Sequence, residues 1–147
     1  MLEQMSFSCG GYSRDYELIT IQNHNGCLNV DYYLIPKKNP QLSFPHYHAS
    51  WTRERSKRWL SKIESIHFGK WEDSYYREDI CDGTQWTLSY HYEGEIKRKI
   101  FGNNDYPDNW ELFQNIMRTI SHKLPRVEDT GIKDILELSV FDEDKSA

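Results

Sequence analysis

The chain has 147 residues, of which 37% are hydrophobic and 14% aromatic, and its formal net charge is −5 at pH 7. This length suits a single domain that can bury a core without disulfides or a structural metal. The longest apolar run, Tyr32–Ile35, is far shorter than the roughly 20 residues of a transmembrane helix. The acidic balance argues against general nucleic-acid binding.

The cysteines and the N-terminal residues indicate the compartment. Cys9, Cys27 and Cys81 are odd in number and widely spaced, with no Cys-x-x-Cys pair, which argues against a disulfide framework and a zinc knuckle. The first residues lack a basic stretch followed by an apolar one, so no signal peptide is expected. We therefore expect a cytoplasmic protein.

Three strands are predicted before the first helix. Ser6–Cys9 alternates polar and apolar residues, and Tyr16–Gln22 has apolar groups on both faces. The turn Asn23–Gly26 then leads into a return strand, Cys27–Ile35, whose even positions are apolar. Prolines at three positions predict an irregular segment over 36–45.

A basic amphipathic helix is predicted from Trp51 to Phe68, with Ser50 as its cap and Gly69 as the glycine that follows it. Its apolar face recurs with helical spacing at Trp59, Ile63 and Ile66. Its exposed face carries the basic side chains Arg55, Arg58 and Lys62.

Two further strands and a second helix are predicted downstream. Thr84–Glu93 alternates cleanly, and Ile96–Phe101 is its partner after a tight turn. Asp108 and Glu111 match a capping box at the start of a helix that ends before Pro125. A last strand at 136–141 remains an additional expectation.

Together these elements predict an α+β fold with a single antiparallel sheet of about five or six strands and two helices packed on one face. The element order is βββαββα, with a possible final strand. The domain is predicted to span residues 1–141, followed by an acidic disordered tail at 142–147.

The charges are unevenly distributed. Residues 50–70 include six basic and two acidic side chains, whereas residues 71–95 include seven acidic and one basic. Carboxylates around exposed rings would attract a basic partner and speed its encounter. We therefore predict a partner-binding surface in the acidic aromatic segment, residues 71–82, made of Trp71, Glu72, Asp73, Tyr75, Tyr76, Glu78, Asp79 and Asp82.

The aromatic residues leave one alternative open. Trp71 and Tyr75 could instead belong to the core, with only the acidic side chains facing water. Tyr47 and Tyr76 also lie outside the periodic faces, so their rings are further candidates for contact with a partner. Tyr106, by contrast, is predicted to pack inside the domain.

Two alternative functions follow from other patterns. The exposed face of the first helix, with Arg55, Arg58 and Lys62, could bind nucleic-acid phosphates. His46 and His48 could share one face of a strand and bind the metal of a metal-dependent enzyme, although no third ligand is evident. No nucleophile elbow or phosphate-binding loop is present, so we expect neither catalysis nor a cofactor.

Two stretches together resemble a known type of sequence. D-G-x-x-W-x-L begins at Asp82, and G-x-N-x-Y-P-x-x-W runs from Gly102 to Trp110. This arrangement resembles a group of small uncharacterised bacterial proteins, and the chain is similar in size and charge to bacterial immunity proteins. The resemblance to immunity proteins implies a protein that binds another protein. The acidic balance, the acidic aromatic segment and the missing catalytic residues favour a non-enzymatic protein that neutralises a basic toxin domain.

Overall fold

The computed structural model describes residues 1–11, 14–36, 38, 44–78 and 83–121. Within them the α+β class is confirmed. The strands are β1 (Leu2–Gly11), β2 (Arg14–His24), β3 (Cys27–Ile35), β4 (Phe44–Ser50), β5 (Ser74–Tyr76), β6 (Thr84–Tyr92) and β7 (Arg98–Asn103). The helices are α1 (Arg53–Glu64) and α2 (Trp110–Ser121), with a short 3-10 helix at Phe68–Lys70. The strand predicted at 136–141 and the tail at 142–147 lie outside the described residues.

All seven strands form one sheet in the order β4-β3-β2-β1-β6-β7-β5. Neighbouring strands are antiparallel except for β5, which runs parallel to β7. The prediction of five or six antiparallel strands is therefore wrong in detail, because the sheet is mixed and has seven. β1 lies at the centre, and β4 and β5 form the two edges.

The β2–β3 hairpin forms as predicted. Asn25 and Gly26 both have positive φ, at 54° and 94°, which matches the tight turn that suits the twist of paired strands. The amide of Gly26 donates to Oδ1 of Asn23 at 2.7 Å, and His24 pairs directly with Cys27. Local turn chemistry is thus enough to determine this register.

Both helices pack on the same face of the sheet. Phe7 of β1 meets Phe113 of α2 edge-on at 5.0 Å, and the rings of Trp86 and Trp110 are 4.5 Å apart. α1 is joined to β3 because the buried amide of Leu28 donates to its Ser56 Oγ at 2.9 Å. Most of the aromatic residues therefore lie in one core between the sheet and the helices.

The opposite face of the sheet is polar and includes a cross-strand tyrosine. The ring of Tyr16 lies over Gly10, where an added Cβ would come within 2.5 Å of it. The Tyr16 hydroxyl then donates to Oε1 of Gln85 at 2.9 Å. Tyr16 therefore joins β2 to β6 across the central strand, and the absence of a side chain at Gly10 makes this possible.

The first helix is shorter than the sequence predicts. α1 covers Arg53–Glu64, and Thr52 rather than Ser50 is its cap, since Thr52 Oγ1 accepts from the amide of Arg55 at 3.2 Å. After the helix, His67 has a positive φ of 58°. Gly69 is therefore not the residue that follows the helix, because it belongs to the 3-10 helix.

Other boundaries also differ from the predictions. β7 begins at Arg98, and Ile96 lies before it and is 93% exposed. α2 begins at Trp110, so Asn109 and not Asp108 precedes its first residue. Tyr106 is partly exposed rather than buried in the core.

β4 replaces the end of the predicted irregular segment. It covers Phe44–Ser50 and pairs with β3, although Pro45 lies within it. Proline is compatible with an edge strand, where one side of the backbone has no neighbour. Tyr47 is buried here against the core, so its ring is not available for contact with a partner.

Candidate functional site

The acidic aromatic segment follows the 3-10 helix and supplies β5, the outermost strand on one side of the sheet. The structure describes its residues 71–78. Asp79 and Asp82, which the sequence assigns to the same surface, lie outside the described residues, as does Cys81 between them. The predicted site therefore coincides with an edge of the sheet.

Trp71 belongs to the core. It is only 5% exposed, and its ring packs edge-on against Phe68 at 4.9 Å and Phe113 at 5.5 Å. Its indole Nε1 donates to Oδ1 of Asn109 at 2.8 Å, which joins the segment to the start of α2. The alternative interpretation of the sequence is therefore correct for Trp71, which positions the segment and cannot contact a partner.

Tyr75 is intermediate between core and surface. Its ring lies 5.9 Å from that of Trp86, and its hydroxyl accepts a hydrogen bond from the amide of Glu72 at 2.9 Å. This bond closes a tight loop between Glu72 and Tyr75. One side of the ring therefore stabilises the segment while the other remains accessible.

The remaining described residues of the predicted surface face solvent. Tyr76 is 60% exposed, and the side chains of Glu72, Asp73 and Glu78 are exposed as well. In the part of the chain that the structure describes, neither Glu72 nor Glu78 forms an ion pair. Their negative charge is consequently available to a cation from outside.

Asp73 differs from the other two carboxylates because Arg98 binds it. The guanidinium donates from Nε and Nη2 to Asp73 Oδ1, at 3.2 and 3.0 Å. It also donates to the carbonyl oxygens of Phe68 at 2.7 Å and Trp71 at 2.5 Å, and to the hydroxyl of Tyr90 at 3.1 Å. One side chain of β7 thus fixes the path of the chain from the 3-10 helix to β5.

The environment of Arg98 keeps it charged. Burial lowers the pKa of the guanidinium, but the hydrogen bonds to Tyr90 and Asp73 outweigh this effect and the pKa is raised overall. The sequence gives no sign of this role, since Arg98 lies between two lysines in a run that is typical of a solvated strand. Its carbonyl acceptors come from a distant part of the sequence.

A groove of about 620 Å³ lies beside the segment, between the 3-10 helix and the loop before α2. The sequence does not predict it, because its walls come from two separate regions. Asn109 joins the walls, with Nδ2 donating to the carbonyl oxygen of Ile66 at 2.9 Å while Oδ1 accepts from Trp71. Charged and aromatic groups line it, including His67, Lys70, Glu72, Tyr75 and Asp108.

The basic side chains of α1 differ in exposure. The guanidinium of Arg55 lies 4.1 Å from the centre of the Trp51 ring, in a cation–π contact that holds it against the protein. Arg58 and Lys62 are exposed, as expected, but the exposed side chains of α1 also include Glu54 and Glu64. Arg53 and Lys57 are exposed on the same helix.

His46 and His48 do not face the same environment. The pairing of β3 with β4 shifts between Tyr32 and Tyr33, so the simple alternation of side chains is interrupted beside His46. His46 is buried, and its Nδ1 accepts from the amide of Leu34 at 3.3 Å. His48 is exposed and contacts the Asp31 carboxylate. The bulge removes the shared face on which the proposed metal site depends.

Neither a cluster of metal ligands nor a membrane-spanning helix is found among the residues that the structure describes. Within residues 1–11, 14–36, 38, 44–78 and 83–121, no three histidine, cysteine or acidic side chains converge as metal ligands would. None of the helices described is long and apolar enough to cross a membrane.

Comparisons with models of protein families, with curated proteins and with solved structures find no match for this chain.

Proposed function

We propose that this chain is a non-enzymatic protein whose acidic aromatic segment binds a basic protein partner. The observation that supports this most directly is the arrangement around β5. There the exposed residues Glu72 and Glu78 precede and follow the strand that carries the exposed ring of Tyr76, and neither forms an ion pair within the described part of the chain. Exposed carboxylates speed the encounter with a cationic surface, and a tyrosine ring supplies contact area with few torsions to restrict.

The rigidity of the segment is a second argument. Arg98 fixes residues 71–73, and Tyr75 is held between Trp86 and the amide of Glu72. A surface that is already ordered loses less conformational entropy when it binds. Its acidic groups are therefore displayed in a defined arrangement.

The narrower form of the proposal is a bacterial immunity protein that neutralises a basic toxin domain in the cytoplasm. The resemblance of the Asp82–Leu88 and Gly102–Trp110 motifs to small bacterial proteins suggests it, together with the net charge of −5. Cys27 is a free thiol, which suits a reducing compartment. A domain that holds nucleic acid needs a basic surface, and an acidic protein can cover it.

Charge reversal tests the proposal. The probe is a short labelled peptide that alternates threonine and arginine, whose binding is followed by fluorescence anisotropy at low and at physiological ionic strength. Each exposed ion pair is worth about 0.5 kcal/mol, so exchanging two attractions for two repulsions should cost about 2 kcal/mol, or roughly 30-fold in Kd. We expect this loss for the double variant Glu72→Lys, Glu78→Lys.

A matched control has the same change in total charge at a different place. Glu93 and Glu95 are exposed in the β6–β7 turn, outside the acidic aromatic segment. The double variant Glu93→Lys, Glu95→Lys should change Kd much less. If both double variants weaken binding equally, net charge rather than this surface controls it. If the peptide does not bind the wild-type protein even at low ionic strength, the proposed function is wrong.

A further inference from the structure

We propose that the basic partner binds by adding an extended strand to the outer edge of β5. This inference rests on the proposed function and specifies its mode of binding. The partner segment would pair with the backbone of Ser74 and Tyr76 and carry basic side chains at alternate positions. Peptide segments commonly bind at exposed sheet edges in this way.

The hydrogen bonds of β5 define its free side. The amide of Phe101 donates to the carbonyl oxygen of Asp73 at 3.1 Å, and the amide of Arg77 donates to that of Asn103 at 3.1 Å. A parallel ladder uses the backbone groups of alternate residues in each strand. The backbone amide and carbonyl groups of Asp73, Tyr75 and Arg77 therefore point towards β7. The amide and carbonyl groups of Ser74 and Tyr76 therefore point away from the sheet, where an added strand would meet them.

The side chains next to this edge suit an alternating partner. On the polar face of the sheet, Ser74 pairs with Phe101 and Tyr76 with Asn103, and the rings of Tyr76 and Phe101 are both at least half exposed. On the helix-bearing face, Tyr75 and Glu72 line the groove, whose far wall carries Asp108. A strand beside β5 would direct one set of side chains towards the exposed rings. It would direct the other set, which we take to be basic, towards the groove, where Glu72 and Asp108 are the acidic residues and Lys70 is the basic one.

The charges also decide between a foreign strand and a second copy of this chain. Antiparallel pairing of β5 with β5 of another copy, with Ser74 opposite Tyr76, would place Glu72 of each copy opposite Glu78 of the other. Like charges that face each other across a strand pair are unfavourable. Short, charged edge strands commonly prevent self-association in this way. A basic segment avoids the repulsion and gains the attraction.

The opposite edge of the sheet is less suitable for the same partner. β4 is followed directly by the basic side chains of α1, beginning with Arg53. Its exposed His48 already contacts Asp31, so that carboxylate is occupied. A cationic strand is therefore expected at β5 and not at β4.

A proline substitution at Ser74 tests the backbone contact. Ser74→Pro removes an amide that points away from β7, so it leaves the ladder to β7 intact, and proline is tolerated in edge strands. Ser74→Ala, the matched control, keeps the amide. With the threonine–arginine peptide we expect Ser74→Pro to raise Kd by about tenfold or more, and Ser74→Ala to bind like the wild type.

Amide hydrogen exchange on the wild-type protein gives a second readout that does not depend on the folding of a variant. Peptide binding should slow exchange at Ser74 and Tyr76 more than at other exposed amides, such as that of Lys97. If these amides are not slowed, strand addition is wrong even if charge reversal at Glu72 and Glu78 abolishes binding, and the proposed function then stands alone. Failure of the wild type to bind the peptide would overturn both proposals.

Discussion

Replacement of Arg98 by lysine should destabilise the fold, although it preserves the charge. The guanidinium uses three nitrogens to reach two carbonyl oxygens, one hydroxyl and one carboxylate, at 2.5 to 3.2 Å. A single ammonium cannot reproduce this fork. At least two hydrogen bonds to a charged donor should be lost, each worth about 1.5–3 kcal/mol.

Partial exposure reduces this cost. The Arg98 side chain is 26% exposed, so water can replace some of the lost contacts. We therefore expect Arg98→Lys to lower the free energy of unfolding by about 2–3 kcal/mol. The Asp73 side chain is 85% exposed, and Asp73→Asn should cost no more than about 1 kcal/mol.

Urea unfolding followed by tryptophan fluorescence measures these differences, because Trp71 and Trp86 are in the core beside the affected segment. Lys97→Met is the control, since Lys97 is exposed next to Arg98 and its loss should change stability by less than about 0.5 kcal/mol. An Arg98→Lys variant as stable as this control would refute the role assigned to the guanidinium.

Two further predictions concern the packing and ionisation of the sheet. Gly102→Ala should lower the free energy of unfolding by about 1–3 kcal/mol in the same assay, because its Cβ would lie 1.8 Å from Nε1 of Trp86. A variant as stable as the wild type would show that the indole can move aside. The pKa of Tyr92 is raised by burial and by the nearby Glu64, Tyr90 and Glu95, so the neutral hydroxyl is favoured in the folded state. The free energy of unfolding should therefore keep its full value below about pH 10 and decrease as the pH rises above it. Tyr92→Phe should reduce this decrease, whereas Tyr76→Phe on the exposed edge should not.

The elements that sequence reasoning predicts well are those whose cause is local. The β2–β3 hairpin follows from the Asn25-Gly26 turn and the alternation in Cys27–Ile35, and both are visible in a few consecutive residues. The second helix follows from the apolar spacing of Trp110, Phe113 and Met117. In these cases the turn chemistry and the periodicity agree with the final packing.

The elements that local sequence patterns do not predict depend on distant partners. β5 has only three residues and no clear pattern, and it exists because β7 provides a ladder and Arg98 holds the preceding chain. Pro45 makes the sequence of β4 look irregular, although proline is compatible with a strand at the edge of a sheet. The bulge beside His46 likewise depends on how β4 aligns with β3. Sequence periodicity contains no information about such alignments.

The sequence predicts the exposure of the candidate site only in part. The acidic and exposed character of residues 72–78 follows from composition, but which rings are buried does not, since Trp71 and Tyr76 have similar neighbours in the sequence. Trp71 is internal because Asn109 and Phe113 meet it, and both come from the distant region at the start of α2. The groove is formed by the same long-range contacts, which explains why the sequence alone does not reveal it.

The central position of β1 has a consequence for how the chain folds. Phe7 pairs with Ile19 on one side, which is close in sequence, and with Leu88 on the other, which is distant. During synthesis, β1 to β4 can assemble as a half-sheet while the second edge of β1 waits for β6 to emerge from the ribosome. Closing such a long loop is slow compared with hairpin formation. We therefore expect the pairing of β1 with β6 to form late in folding, and until it forms the second edge of β1 is open to pairing with other strands.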